Sequence, residues 1–531
     1  MRWQPGMTVH SDTVHRHDEF LRAAHYFADG WPLDSLLVMR NPSLRRDLRQ
    51  LRRDGYNAII VVVPWRGFQV SQAPIAYDPF YGNQLRLVLD EARGQGLAVL
   101  LRVAYSHQIL HGPSVGPIRR TQAMLVEPEL RAAWMDYHRE VHAIAASYSC
   151  CRGTFLSWEE LWHAYTHFQS QSLKERQQAA TALGYDRFEE GDDAFPPVIP
   201  EPGAPGSARY HRFVNHHMVQ LFEEVRSHCP LLGVEYRVDR DAVVEGDETR
   251  WVENPRFLDW EPARYSYWAP FMYAENIGET LDAPRALASL GTMLDETGVN
   301  GAYPGQVLEQ FNFIENTREY QGRHAKIDEA AIGDFLAGAA PLLVERCGGY
   351  GIWAPRDYRC NVLYNSAFLD GARGWDLDAA SRVDDQGVTL NGGATLQQQL
   401  EPRIAWIPRM HPFESLRLEL RVRPGLLPRG RRLRARLNGG EWATLEREGR
   451  GLLGAQVPID FDGIPADGLR FELENQGTGV TVQRVQLYHL SYAMGLRDHD
   501  GRAGPFLPAL RRFNAALRKL DAGVRGQRSQ R

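Results

Sequence analysis

Two glutamates stand at the ends of apolar runs: Glu159 in "GTFLSWEELW" (153–162) and Glu309 in "GQVLEQFNF" (305–313). Strands covered on both faces read as continuous apolar runs and seldom end in charge. A carboxylate buried without a partner carries a heavy desolvation cost, so each needs a reason to be there. One such group held ionised and another held protonated make an acid–base pair. Each also has a structural explanation. Ser157 followed three residues later by Glu160 has the spacing of a helix capping box, which accounts for one glutamate and leaves Glu159 over. Glu309 could be half of a buried ion pair with an arginine such as Arg237.

The elements that would carry these residues alternate from residue 35 to 355. "SLLVMR" (35–40) is the expected first strand, and "PSLRRDLRQLRRDGY" the helix after it, closing at Gly55. The strands "NAIIVVVPW", "LAVLLRVAYSH", "GTFLSWEE", "LLGVEYRVD", "YSYWAPFMY", "GQVLEQFNF" and "GYGIWAP" follow, with amphipathic helical stretches between them. Strands alternating with helices imply a parallel sheet, and eight such units imply a (β/α)8 TIM barrel of the α/β class. An open doubly wound sheet is the rival, but no GxGxxG follows an early strand. Barrel active sites lie where the strands end. The strand ends here supply Arg40, Trp65, Arg66, Arg102, His107, Trp158, Glu159, Glu160, Tyr236, Arg237, Tyr273, Glu309, Gln310, Asn312 and Trp353. The Pro/Gly-rich stretch within 168–207 follows strand four on that same face and is expected to wall the cleft.

Near Cys360 the pattern changes to period-two alternation bounded by Gly, Pro and Asn, as in "SLRLELRVRPG" and "LRFELENQGTGVTVQRVQLYHLSY". That is an antiparallel β-sandwich. Helix then returns in "GPFLPALRRFNAALRKL" (504–520). A barrel of eight strands still lacks its eighth helix at residue 358, so the sandwich is expected to be inserted before the last barrel helix. The expected division is a barrel over 1–358, a sandwich over 359–493, and a returning helix and tail over 494–531.

Composition sets outer bounds. The 531 residues are 43% hydrophobic and 24% charged, the balance of a soluble globular protein. A net charge of −5 gives no footprint for nucleic acid or an anionic membrane. No apolar run is long enough to span a bilayer, and the N-terminus has no h-region. The expectation is a cytoplasmic protein, unless export uses a route the sequence does not display. Cys150, Cys151, Cys229, Cys347 and Cys360 are an odd, scattered set with no CxxC spacing, hence no disulfide framework and no zinc site. Thirteen tryptophans offer flat faces that suit sugar rings, although tryptophan is equally core material.

A glutamate ending strand four and another ending strand seven resemble the hallmark of the clan of retaining (β/α)8 glycoside hydrolases (clan A). That resemblance implies Glu159 as general acid/base and Glu309 as nucleophile. "VLEQFN" looks like the clan's nucleophile strand, and Trp353 resembles the tryptophan commonly ending strand eight beneath the sugar. The clan's tyrosine near strand six, which hydrogen-bonds the nucleophile, is most like Tyr273, with Tyr267 next. "LYNSAFLDGARGW" looks like the opening of a carbohydrate-binding-type sandwich. One position departs: where the clan has asparagine before the strand-four glutamate, this chain has Trp158. The implied function is cleavage of an oligo- or polysaccharide through a glycosyl-enzyme intermediate, with no cofactor and no metal. A transglycosylase, or an inactive glycan-binding protein that kept its cleft, would share most of these residues.

Other signals have quieter explanations. His163/His167 and His138/His142 have zinc-compatible spacing but lack the HExxH pattern, and are expected to be solvated or capping. Arg66, Arg102 and Arg237 could bind an acidic sugar or pair with barrel acids such as Glu235 and Asp239. "DHDGR" (498–502) lacks the acidic spacing of a calcium loop and reads as a turn.

Overall fold

In the computed structural model, the structure describes residues 19–28, 30, 32–105, 128–156, 219–229, 232–236, 240–245, 248–253, 264–297, 306–400, 414–423, 433–460 and 468–528. Eight parallel strands close into a barrel. They are β1 (Leu21–His25), β2 (Ala58–Pro64), β3 (Ala98–Tyr105), β4 (Cys151–Leu156), β5 (Leu232–Tyr236), β6 (Arg264–Trp268), β7 (Val307–Phe311) and β8 (Gly349–Ile352). Closure is direct, because β1 pairs with β8 on one side and with β2 on the other.

The barrel is the expected one, but its first strand is not. "SLLVMR" does not form a strand: Pro32–Leu37 is a 3-10 helix whose Leu36 and Leu37 are buried in the core. The first strand is "LRAAH", buried throughout. With Arg and His inside it and only alanines between, it does not read as an apolar run. Those small residues suit a strand crowded on both faces.

β2 shows why the parallel reading works, since all of "AIIVVVP" is buried and both faces are covered. Helix α1 (Asn41–Arg53) lays Leu44, Leu48 and Leu51 on that outer face. Gly55 ends the turn at φ +96°, and a Cβ there would stand 2.8 Å from the Asn514 Cβ. Glycine is needed on both counts. Further around the ring lie α2 (Pro79–Gly94), α3 (Pro128–Ala146), α4 (Ala283–Thr297) and α5 (Ile332–Arg346).

After β8 the chain builds two antiparallel sheets. One runs β11 (Ser381–Asp384), β12 (Gly387–Leu390), β20 (Val480–Tyr492), β14 (Ser415–Val422), β18 (Leu452–Pro458), β17 (Glu446–Gly449), with β9 (Tyr358–Asn361) also on β20. The other runs β10 (Asp376–Leu377), β13 (Thr395–Leu400), β19 (Leu469–Asn475), β15 (Leu433–Leu437), β16 (Ala443–Thr444). Leu416, Leu418 and Leu420 alternate inward to meet Leu433, Ala435, Leu437 and Phe471 of the facing sheet. This is the predicted sandwich, with period two written directly into its core.

The chain then returns to the barrel. Helix α6 (Leu507–Arg528) puts Phe513 against Tyr350 of β8, ring centroids 5.2 Å apart. Asn514 accepts from the Tyr350 hydroxyl at 2.6 Å and donates to the Asp54 carbonyl at 2.9 Å. Asp54 itself, buried just past α1, takes Arg497 at 2.8 Å and Arg511 at 2.7 Å. The sandwich is therefore inserted before the helix that completes the barrel.

Sandwich and barrel also meet through charge. Arg373 reaches Asp78, the N-cap of α2, at 2.7 Å and Asp370 at 3.2 Å. Burial, and then the nearby Asp78 charge, push the Asp370 carboxyl from its ordinary 3.8 up to about 6, against the pull of Arg373. A carboxyl raised on folding binds its proton more tightly in the folded state. Its stabilising contribution is therefore complete below about pH 3.8 and is lost as pH rises through about 6. Asp370→Asn is expected to raise the urea midpoint at pH 7 and to change it little at pH 4. Equal shifts at both pH values would show that the carboxyl's proton is not the cause.

Candidate active site

The inner wall of the barrel is a small apolar cluster that includes Ala23, Leu100, Tyr265 and Val307. Side chains alternate along a strand, so the residue two steps further toward each C-terminal end also faces inward. Those residues are His25 after Ala23, Arg102 after Leu100, Tyr267 after Tyr265, and Glu309 after Val307. The floor is apolar and the next level is polar.

Glu309 sits at an irregularity. The register shifts between Leu308 and Phe311 in the ladder with β8, and between Ser266 and Tyr267 in the ladder with β6, where Tyr267 comes to face Gln310. This bulge re-aims the side chains beside it. The β8 backbone comes so close that a Cβ on Gly351 would lie 2.4 Å from the Glu309 carbonyl oxygen. The Glu309 side chain is fully buried. Its described polar neighbour is His25, whose Nε2 donates to the Glu309 carbonyl at 2.7 Å and stands 2.9 Å from Oε2. Among the described residues neither Oε1 nor Oε2 has a hydrogen-bond partner. The Glu309 charge is also felt by Tyr265, whose phenol is raised chiefly by burial and further by Cys151 and Glu309.

Trp353, just past β8, is half-buried. Its edge meets the His25 ring, with centroids 4.9 Å apart and planes at 62°, and its Nε1 donates to the Tyr358 hydroxyl at 2.9 Å. Behind it the aromatic packing runs on into the sandwich. Tyr358 stacks on Tyr492 of β20 at 4.7 Å, and Tyr320 stacks on His324 at 3.8 Å, with Tyr320 and Tyr492 sharing a hydroxyl contact at 3.5 Å. The sandwich thus buttresses the strand-eight side of the bowl.

Three expected site residues are corrected. Trp65 does not offer a face to the cleft: it is 1% exposed, edge-on to Trp134 of α3, with its Nε1 on Gln69 at 2.9 Å. Its indole fills the layer between barrel and helices. Arg102 is not available to a ligand, because it forms a fully buried pair with Glu235 at 2.8 Å. The ion-pair alternative left open by the sequence is the one realised. Asn312 is buried, its Oδ1 accepting from the Ile314 amide at 3.0 Å and its Nδ2 lying 3.4 Å from the Met494 sulfur, so it shapes the turn after β7.

Of the other expected residues, Gln310 is half-buried in the bulge and Tyr267 is buried on β6. Tyr273 ends the short helix Pro270–Tyr273, with its ring 6.2 Å from that of Tyr267. Arg66 stands on the short helix Trp65–Phe68 and Tyr236 ends β5, but their side chains lie outside the described set. His107, Trp158, Glu159, Glu160 and Arg237 lie outside the described residues, as does all of 168–207. Arg237, the suggested partner of Glu309, is among them. His138 is neither solvated nor capping. It is buried against Trp134 and Tyr137, and burial brings its imidazole down to about 3, hence neutral.

His25 is the site residue missed in the sequence, because its strand was missed. The signal was there in "LRAAH", where Leu21, Ala23 and His25 share one face and the run ends on an ionisable group.

No family model and no curated protein matches the chain. Solved structures do show likeness. One is the exo-beta-1,4-mannosidase Op5Man5 from Opitutaceae bacterium strain TAV5, 16% identical over 66% of this chain and 56% of that one, TM-score 0.42. Another is GH5_18 from Streptomyces cattleya in complex with GlcNAc, 12% identical over 64% of this chain and 72% of that one, TM-score 0.37. A beta-glucosidase 1317 is 14% identical over 64% of this chain and 89% of that one, TM-score 0.37. The chain thus spans little more than half the length of the mannosidase. At such TM-scores the barrel rests on its own strand pairing, and the chemistry on its own residues.

Proposed function

We propose that the chain is a retaining glycoside hydrolase acting on an oligo- or polysaccharide. The observation that carries this reading is Glu309: a fully buried carboxylate on the inner wall at the C-terminal end of β7, re-aimed by a bulge. Its described contact is a histidine 2.9 Å from Oε2, and neither carboxylate oxygen has a hydrogen-bond partner among the described residues. Such a group is expensive to keep for structure alone.

In the proposed reaction, Oε1 of Glu309 attacks the anomeric carbon as the bond to the leaving oxygen breaks. Glu159 gives its proton to that oxygen. Glu159, now a carboxylate, then takes a proton from water, whose oxygen attacks the same carbon and frees Glu309. The two inversions restore the original configuration. Retention calls for carboxyl groups roughly 5–5.5 Å apart.

The test is a panel of 4-nitrophenyl glycosides and unmodified oligosaccharides, with the product anomer followed by NMR from the first turnover. The expected result is hydrolysis with retention. Inverted product would remove the glycosyl-enzyme step, longer products would mean transglycosylation, and no release from any member would leave a glycan-binding protein.

A further inference from the structure

We infer that His25 is a positioning residue for Glu309, holding one carboxylate oxygen so that the other faces the substrate. The inference rests on the proposed hydrolase reading, and it concerns a strand to which the sequence assigned no function.

Nε2 of His25 faces two oxygens of one residue, the carbonyl at 2.7 Å and Oε2 at 2.9 Å. Both are acceptors, so the ring carries its proton on Nε2. That N–H thus donates to the Glu309 backbone and stands at ion-pair distance from its head group, neither of whose oxygens has a hydrogen-bond partner among the described residues. The β-bulge makes this possible by breaking the regular register at Glu309. Both side chains are fully buried, so bulk water does not compete for the contact. The ring is held in turn by the edge of Trp353, 4.9 Å away. Nδ1 has no hydrogen-bond partner among the described residues, so the histidine's polar commitment there is to Glu309. A carboxylate free to rotate would present either oxygen at changing angles. With Oε2 set 2.9 Å from Nε2, it presents Oε1.

Glutamine places an amide nitrogen near the position of a histidine Nε2, and asparagine stops short of it. The deciding comparison is therefore His25→Gln against His25→Asn, with His25→Ala alongside, all in the full chain. The probe is whichever 4-nitrophenyl glycoside of the panel the wild type hydrolyses fastest. Competent sites are counted by the burst of dinitrophenolate from the matching 2-deoxy-2-fluoro glycoside, and thermal midpoints are recorded. His25→Asn and His25→Ala are expected to lower kcat per competent site about 100-fold, as misplacement of a reacting group by about 1 Å does. KM should stay within about threefold, and His25→Gln should recover kcat to within about tenfold of wild type. A purely structural role would lower the midpoint and the count of competent sites while leaving kcat per site unchanged. That result, or equal kcat per site for Gln and Asn, overturns the inference even if Glu309→Ala is inactive. If no glycoside is hydrolysed, or if Glu309→Ala matches wild type, the hydrolase reading itself fails and the inference falls with it.

Discussion

Glu309→Ala is expected to lower kcat on the best aryl glycoside by about 10⁴-fold or more, with the fold intact. The size follows from the role, because without a nucleophile no covalent intermediate forms. The fold should survive because the change removes a buried charge and leaves a small cavity beside His25 rather than an unpaired ion. Azide should then restore release of nitrophenol. The anion fits the vacated space, attacks the anomeric carbon as the aryl oxygen leaves, and yields a glycosyl azide of inverted configuration. Activity near wild type in the variant, or azide that accelerates nothing, would show that Glu309 is not the nucleophile.

Glu159→Ala is expected to show the second largest effect, and its size should depend on the substrate. A general acid contributes about 10²–10⁴-fold. That loss should appear in full for oligosaccharides, whose leaving oxygen needs a proton, and shrink markedly for dinitrophenyl glycosides, whose leaving group departs unaided. Glu160→Ala, at capping-box spacing from Ser157, should instead cost about 0.5–2 kcal/mol of stability, seen as a lower urea midpoint at unchanged kcat. A uniform loss across leaving groups in Glu159→Ala would argue against the acid role. Inactivity of Glu160→Ala with an active Glu159→Ala would exchange the two assignments.

Particular residues show what could be read from the sequence. Burial on both faces left its mark in "AIIVVVP", and alternation left its mark in "SLRLELRV", so barrel and sandwich were both legible. Glu309 was legible for a related reason: charge inside an otherwise apolar strand is costly enough to stand out. What failed was direction and partnership. Trp65 ends an apolar strand just as Trp353 does, yet one indole turns outward to α3 and the other toward His25. The difference lies in backbone geometry that residue types do not encode. Arg102 needed a partner somewhere, and only the closed barrel brings Glu235 to it across 133 positions. His25 was hidden because alanines, chosen for tight fit, look like nothing in a hydrophobicity pattern.

The return of α6 has a consequence for how the molecule is made. Asp54 meets Arg497 and Arg511 across 443 and 457 positions of chain, so the barrel's outer layer is completed by residues translated long after its first strands. Until they emerge, Tyr350 and Phe311 lack their cover of Phe513, and the Asp54 carboxylate lacks both arginines. The sandwich, whose strand pairs lie within one continuous stretch, can form before the barrel that began ahead of it. A nascent chain of this design carries an exposed apolar flank until α6 has emerged. Truncation ahead of α6 should therefore yield an aggregating product, not a shortened enzyme.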